Sequence, residues 1–260
     1  MKNRISKTLL GAAVAAAMLT SSCATHYQLN SVSRQRLVVD SRYDGGNAGG
    51  AARFLAPYKA RVDSVMSPVM GTVAHDMAAQ RPESDLSNLL PDILMWAAPQ
   101  YGETPDFGIY NIGGIRAALS KGPVTYGDVL DVAPFENKIC FLTLTGEQVM
   151  QLFRQIARRG GEGVSHGVNL VISSDGALVS ARLHGEEIFP DKSYRVTTID
   201  YLAQGNDQLT AFKAHTNLNS PKEDSNNTRF IIMDYFRQKA AKGEAVDAKT
   251  EGRIIVEQKH

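Results

Sequence analysis

Apolar residues recur at helical spacing in four stretches of the chain, where positions three and four apart share one face. The stretches cover residues 51–66, 86–97, 146–159 and 228–242. The first carries its apolar side chains at Phe54, Leu55, Tyr58, Val62 and Val65. In the second, Pro91 is well tolerated only in a first helical turn, where its missing N–H has no helical partner. We therefore predict that this helix is capped near Ser87 rather than Ser84.

Short segments rich in β-branched and other apolar residues lie between these helices, which indicates strands. The predicted strands cover residues 69–74, 107–110, 138–145, 168–172, 178–183, 194–199 and 253–256. The turn Ser173-Ser174-Asp175-Gly176 separates two of them and predicts a hairpin. Helices and strands alternate irregularly. We therefore predict a single α+β domain in which helices pack on a mixed or antiparallel sheet, and not a parallel doubly wound fold.

Residues 1–22 have the pattern of a secretory signal peptide, with a positively charged start and an apolar stretch from Leu9 to Met18. Small residues before Cys23 are similar to a bacterial lipobox, which implies cleavage there and lipidation of the thiol. Plain secretion with a chance cysteine is the alternative. Residues 23–36 are predicted to form a lipid-anchored tether, followed by the folded domain over residues 37–260. We expect the chain to be anchored in the bacterial cell envelope, facing the periplasm or the exterior.

Charge and cysteine content narrow the range of partners. The chain has 28 Lys and Arg residues against 27 Asp and Glu residues. Loss of the signal peptide removes Lys2, Arg4 and Lys7 and no acidic residue, so 25 basic residues face 27 acidic ones. This balance, without a basic stripe, argues against nucleic acid as a partner. Cys140 has apolar neighbours and is predicted to be a buried thiol, with no disulfide and no cysteine-based metal site.

The run Asn111-Ile112-Gly113-Gly114-Ile115-Arg116 stands at the end of a predicted strand. Glycines permit backbone conformations and close approaches that a Cβ atom forbids. Asn111 offers hydrogen-bond donors and an acceptor, and Arg116 has a planar fork that matches phosphate or carboxylate. The pattern indicates a site for an anionic, hydroxyl-bearing ligand at a strand-to-helix corner. An ordinary turn with a solvated arginine is the alternative.

Several further motifs follow one another in a specific order. They are Ser87-Asn88-Leu89-Leu90, Val124-Thr125-Tyr126-Gly127-Asp128-Val129, Ala133-Pro134-Phe135, Leu144-Thr145-Gly146, Gly163-Val164-Ser165-His166-Gly167 and Tyr201-Leu202-Ala203-Gln204-Gly205-Asn206-Asp207. Together with the Asn111–Arg116 run, they make residues 65 to 256 resemble the C-terminal, substrate-binding domain of bacterial and animal 5′-nucleotidases. The resemblance implies a domain that holds the nucleoside part of a nucleotide.

The resemblance assigns expected roles to individual residues. Two aromatic rings, Phe135 and Tyr201, are expected to sandwich the base, because every base has a π-face on which an aromatic ring stacks. Asp207 is expected to accept hydrogen bonds from ribose hydroxyls. The other expected contacts are Asn111, Gly113 and Arg116 on the phosphate or ribose side, Arg81 toward the phosphate and the backbone of Gly167 toward the base.

Each role has an alternative, and the chain departs from the family pattern in two places. Phe135 could be a core residue, Tyr201 a strand-end aromatic, and Asp207 the cap of a helix that begins near Leu209. The second ring is a tyrosine where the family usually has phenylalanine. The run Gly205-Asn206-Asp207-Gln208 replaces a run richer in glycine, which affects the loop geometry and the base preference.

Full-length enzymes of this family hydrolyse nucleotides on a metallophosphatase domain that holds two metal ions. Its Asp-x-His and Asn-His-Glu or Asn-His-Asp motifs do not occur in this sequence, and the six histidines are scattered. We therefore expect no catalytic residue, metal site or cofactor in this chain and no hydrolysis by it alone. The first hypothesis is half of a split 5′-nucleotidase, with divalent metals on a separate metallophosphatase subunit. The second is a stand-alone nucleoside or nucleotide binder, and the third a structural protein that keeps the fold without the pocket.

Overall fold

The computed structural model describes residues 28–38, 40 and 48–257. The predicted signal peptide and the lipidation site at Cys23 lie outside the described residues. The chain divides into two compact units after Arg53, and residues 28–38 of the first unit are exposed and form no helix or strand. Among the described residues, no helix is long and apolar enough to cross a membrane.

Helices and strands follow one another along most of the described chain. The helices are α1 (Ala48–Met66), α2 (Asp85–Ala97), α3 (Tyr126–Val132), α4 (Gly146–Arg158), α5 (Asp200–Ala203) and α6 (Thr228–Ala241). The strands are β1 (Val69–Val73), β2 (Phe107–Tyr110), β3 (Gly122–Thr125), β4 (Ile139–Thr145), β5 (Gly163–Val164), β6 (Val168–Ser173), β7 (Leu178–Leu183), β8 (Ser193–Ile199), β9 (Thr216–Asn219) and β10 (Ile254–Glu257). Short 3₁₀ turns cover Ala98–Tyr101, Ile112–Gly114, Thr210–Ala214 and Asp224–Asn226.

These strands form three sheets in the described part of the chain. The largest has the order β5-β2-β8-β4-β9, the second the order β10-β6-β7, and the third pairs β1 with β3. The pairs β2–β8 and β6–β10 are parallel, and the remaining pairs are antiparallel. The predicted α+β class with a mixed sheet is therefore confirmed, and so is the predicted hairpin, formed by β6 and β7.

The core lies where the helices cover the sheets. Helix α2 packs on β2, β5 and β8, helix α4 on β4, β6, β7 and β8, and helix α6 on β1 and α2. The rings of Phe107 in β2 and Phe153 in α4 lie 5.5 Å apart, which joins the large sheet to its covering helix. Cys140 in β4 is buried, as predicted, and desolvation by that burial raises the pKa of its thiol to about 12.

The cap predicted for helix α2 is wrong. Ser84 is the N-cap. Its hydroxyl accepts a hydrogen bond from the Ser87 backbone N–H, and the Ser84 backbone N–H donates to the Ser87 hydroxyl, which makes a reciprocal capping box. Pro91 therefore sits in the helix interior and has no N–H for the Ser87 carbonyl. That carbonyl lies against Gly163, where a Cβ atom would come within 2.6 Å. Strand β5 thus approaches the helix at a glycine.

Helix α1 confirms the predicted helix, but its apolar stripe does not enter the core. The apolar side chains predicted to share one face, Phe54, Leu55, Tyr58, Val62 and Val65, are all exposed. Helical periodicity reports which side chains share a face and not what covers that face.

Strand order in the large sheet decides which loops meet. Because β2 and β8 are parallel neighbours, the loops that follow Tyr110 and Ile199 leave at the same edge. Strand β4 runs antiparallel to β8 and pairs Ile139 with Ile199, so the loop before β4 reaches that edge too. Strand β5 pairs Gly163 with Tyr110, which brings the loop before β5 to the same place. Four loops that are distant in sequence therefore converge.

Candidate functional site

A cavity of about 230 Å³ lies where these loops converge. Its lining consists of Asn111, Gly113, Gly114, Phe135, Asn137, Arg159, Tyr201 and Asp207. Five of these eight residues are among the binding residues predicted from the sequence: Asn111, Gly113, Phe135, Tyr201 and Asp207. Arg159 and Asn137 were not predicted. The fold thus brings most of the predicted set to one concave surface.

Asn111 is the first residue after strand β2, and its side chain turns into the protein. It is 4% exposed, and its Nδ2 donates to Asp207 Oδ2 at 2.7 Å. Its Oδ1 is buried and has no hydrogen-bond partner within the described chain. A Cβ atom on Gly114 would lie 2.6 Å from that oxygen, so the second glycine of the motif is required for the asparagine to fit. The segment from Asn111 to Gly114 therefore forms part of the cavity wall.

Asp207 is presented by a loop with unusual backbone angles. Asp207 and Gln208 have φ values of +53° and +62°, so two consecutive non-glycine residues are left-handed. Such conformations carry a cost and tend to cluster at functional sites. The alternative role as a helix cap does not hold, because the following 3₁₀ turn has Leu209 at its N-cap and no side-chain cap. The carboxylate instead faces the cavity.

The two predicted aromatic residues, Phe135 and Tyr201, are both exposed and both line the cavity. Phe135 is 48% exposed and Tyr201 37%, which excludes the core alternative for Phe135. Arg229 Nη2 donates to the Pro134 carbonyl at 3.0 Å and holds the Phe135 loop to helix α6. Exposed aromatic rings in a concave site are available for stacking on a flat ligand.

Glu162 was also not predicted from the sequence, and it supports the cavity wall from behind the lining. Its side chain is fully buried, and it accepts from Arg81 Nη2 at 2.6 Å and from the Ile112 backbone N–H at 2.6 Å. The guanidinium of Arg159 also donates to it through Nε. The carboxylate therefore joins the glycine-rich loop to the Asn111–Arg116 run. A lone acid between Gly161 and Gly163 was the available signal.

Arg159 carries positive charge to the cavity. One edge of its guanidinium is held by Glu162, and its Nη2 lies 3.8 Å from Asp207 Oδ2. Arg81 is held by the same carboxylate and also donates through Nε to the Gly161 carbonyl at 2.9 Å. Arg81 does not line the cavity, so within the described chain its place is behind the glycine-rich loop.

Two other predicted residues lie outside the cavity lining. Arg116 is exposed, and its Nη1 donates to the Gly113 carbonyl at 3.2 Å, which places it beside the mouth. Gly167 has a φ of +89° and lies under the ring of His184, where a Cβ atom would clash with Nδ1. It lines a separate hollow with His184 and Arg253.

The electrostatics of the site centre on Asp207. Its Oδ1 accepts from the Tyr201 hydroxyl at 3.0 Å and its Oδ2 from Asn111. The hydrogen bond to Asp207, more than burial, raises the pKa of the Tyr201 phenol. Among the described residues, no group of three His, Cys, Asp or Glu side chains is arranged to hold a metal ion.

The chain belongs to the 5′-nucleotidase C-terminal domain family, whose family model matches residues 69–214, more than half of the chain. The resemblance inferred from the sequence is thereby confirmed.

Individual relatives agree with this assignment. Protein UshA of Yersinia enterocolitica is 28% identical over 217 residues, which is 78% of this chain and 37% of UshA. A 5′-nucleotidase of Vibrio vulnificus is 27% identical over 146 residues, 55% of this chain and 25% of that protein. The solved 5′-nucleotidase precursor from Thermus thermophilus has a TM-score of 0.68 at 26% identity, covering 80% of this chain and 43% of that one. The chain thus spans less than half the length of these relatives.

The buried Glu162 carboxylate yields a prediction about stability. Glu162→Gln should lower the free energy of unfolding by about 2 kcal/mol, because two partly buried guanidiniums lose their charged hydrogen-bond acceptor. Urea unfolding followed by circular dichroism measures the change. Glu187→Gln, at an exposed glutamate, is the matched control and should change stability by less than about 0.5 kcal/mol. Equal stabilities of the two variants would show that Glu162 does not hold the loop.

Proposed function

We propose that this chain is the nucleotide-recognising domain of a split 5′-nucleotidase, which binds base, ribose and phosphate while a separate metallophosphatase hydrolyses the ester. The process it serves is nucleotide catabolism. The observation that carries the proposal is the cavity, because two exposed aromatic rings, a carboxylate and a strand-end asparagine line one space.

The aromatic rings supply the affinity for the base. Stacking a base on an aromatic side chain is worth about 1–3 kcal/mol and does not depend on which base is stacked. Phe135 comes from the loop before strand β4 and Tyr201 from helix α5, directly after strand β8, and both line the cavity that a planar ring would enter. The two rings therefore suit a ligand with a flat aromatic group and do not select one particular base.

Polar groups recognise the sugar and the phosphate. The carboxylate of Asp207 accepts hydrogen bonds from hydroxyl donors, which ribose offers in a neighbouring pair. Arg159 in the lining and Arg116 at the mouth offer planar cations that match phosphate oxygens. Asn111 contacts Asp207 and the Gly113 carbonyl accepts from Arg116, and both residues line the same cavity. A ligand with a base, a polyhydroxyl sugar and an anionic end satisfies all three parts.

In the split enzyme, the reactive chemistry lies on another protein. Hydrolysis of a phosphate monoester by this family uses two divalent metals that bind phosphate and activate water. The relatives that the chain matches extend well beyond the matched region, and the proposal assigns the corresponding catalytic half to a separate subunit. We further propose that lipidation at Cys23 anchors the chain in the bacterial cell envelope, facing the periplasm or the exterior.

A second candidate function is binding of nucleosides or nucleotides without catalysis. The observation in its favour is that two exposed aromatic rings, a carboxylate and an arginine lie together in one cavity. Capture of a ligand requires these groups and no hydrolytic chemistry.

Mixing the full chain with a separately encoded metallophosphatase tests the split enzyme. Phosphate release from adenosine 5′-monophosphate (AMP) should be faster with both proteins than with either alone, since one orients the nucleotide and the other supplies the metals. Each protein alone is the control. An unchanged rate at saturating partner contradicts the split enzyme, and AMP binding without a rate increase favours the second candidate.

Truncation of one aromatic ring tests recognition of the base. Phe135→Ala should weaken AMP binding by about tenfold or more, because one stacking partner is lost. Titration calorimetry on the full chain measures the dissociation constants. Phe189→Ala is the matched control, since Phe189 is an exposed phenylalanine outside the cavity lining, and it should bind like the unaltered chain. Equal affinities of the two variants would remove Phe135 from the site.

A further inference from the structure

The hydroxyl of Tyr201 is a polar group inside the site that base stacking does not use. It lies 3.0 Å from Asp207 Oδ1 and donates a hydrogen bond to it, while the ring lines the cavity. A phenylalanine at this position would offer the same stacking surface without that donor. The hydroxyl therefore acts on Asp207 and not on the base.

Asp207 does not depend on the Tyr201 hydroxyl for its position. The backbone of the loop is fixed in left-handed angles at Asp207 and Gln208, and Asn206 Nδ2 ties the loop to the Tyr201 carbonyl at 2.8 Å. Asn111 Nδ2 holds Oδ2 at 2.7 Å from the opposite side. Three restraints that do not involve the phenol therefore aim the carboxylate at the cavity.

The phenol does change what the carboxylate can accept. A carboxylate has about four acceptor positions, two on each oxygen. Tyr201 takes one on Oδ1, Asn111 takes one on Oδ2, and Arg159 Nη2 lies 3.8 Å from Oδ2. Oδ1 is therefore the oxygen with more room for a ligand, and it already holds a donor. A hydrogen bond from the phenol also draws charge from the oxygen and makes it a weaker acceptor.

We propose that Tyr201 is a specificity-determining residue, whose hydroxyl competes with ligand hydroxyls for Asp207 Oδ1 and so reduces how strongly the site selects a sugar with a free hydroxyl pair. The inference rests on the proposed function, because it concerns nucleotides in the same cavity. We therefore expect the site to tolerate sugars that lack these hydroxyls, because the Tyr201 hydroxyl reduces its selectivity for sugars that have them.

Removal of that oxygen tests the inference. Tyr201→Phe keeps the ring and frees Oδ1, so AMP should bind more tightly while 2′,3′-dideoxy-AMP, which has no hydroxyl to donate, should bind with little change. The dissociation constant for 2′,3′-dideoxy-AMP divided by that for AMP should rise about fivefold over its value in the unaltered chain. Titration calorimetry on the full chain measures both constants. Tyr58→Phe, at an exposed tyrosine on helix α1, is the matched control and should leave the ratio unchanged.

The outcomes separate this inference from the proposed function. A chain that binds AMP but shows the same or a smaller ratio after Tyr201→Phe overturns the inference and leaves the proposed function standing. Weaker binding of both ligands by a Tyr201→Phe chain with an unchanged melting temperature also overturns it, since the hydroxyl then contacts the ligand directly. Absence of AMP binding by the unaltered chain overturns both.

Discussion

The parallel pairing of strands β2 and β8 is the constraint on which the site depends. Parallel neighbours release their following loops at one edge, which places Asn111 next to the Tyr201–Asp207 loop although 96 residues separate Asn111 from Asp207 in sequence. The antiparallel neighbours β4 and β5 add the Phe135 and Glu162 loops to the same edge. The chemistry of the cavity is thus a consequence of strand order.

Buried charge then fixes these loops relative to one another. The Glu162 carboxylate accepts from two guanidiniums and one backbone N–H, so a single buried group joins the glycine-rich loop to the strand-end run. Burial of a carboxylate costs desolvation free energy, and opposite charges and hydrogen-bond donors around the carboxylate offset that cost. Because Arg159 is held by Glu162 at one edge, it faces the cavity already oriented. Rigid support of this kind lets a site bind at a smaller entropic cost, since its side chains are already ordered.

Local patterns predicted the parts of the molecule that local physics controls. Helix α4 begins and ends within one residue of its predicted bounds, because the Thr145–Gln148 capping box and the apolar periodicity agree. Helix α2 begins earlier than predicted, because the Ser84–Ser87 capping box and tertiary packing outweigh the cost of Pro91 inside the helix. The lone acid at Glu162 is visible in the sequence, but its role could not be predicted, since that role arises from contacts across 50 and 81 residues of chain. The place of Arg159 likewise depends on Asp207, which lies in a loop distant in sequence. Strand order has no local signal at all.

We propose that one cavity, built from loops at this sheet edge, recognises a nucleotide. A crystal structure of the full chain with AMP would show where the nucleotide binds. We expect the adenine ring between Phe135 and Tyr201, with a ribose hydroxyl within hydrogen-bond distance of Asp207. Density for AMP at another surface, or a base that touches neither ring, would contradict nucleotide recognition by this cavity.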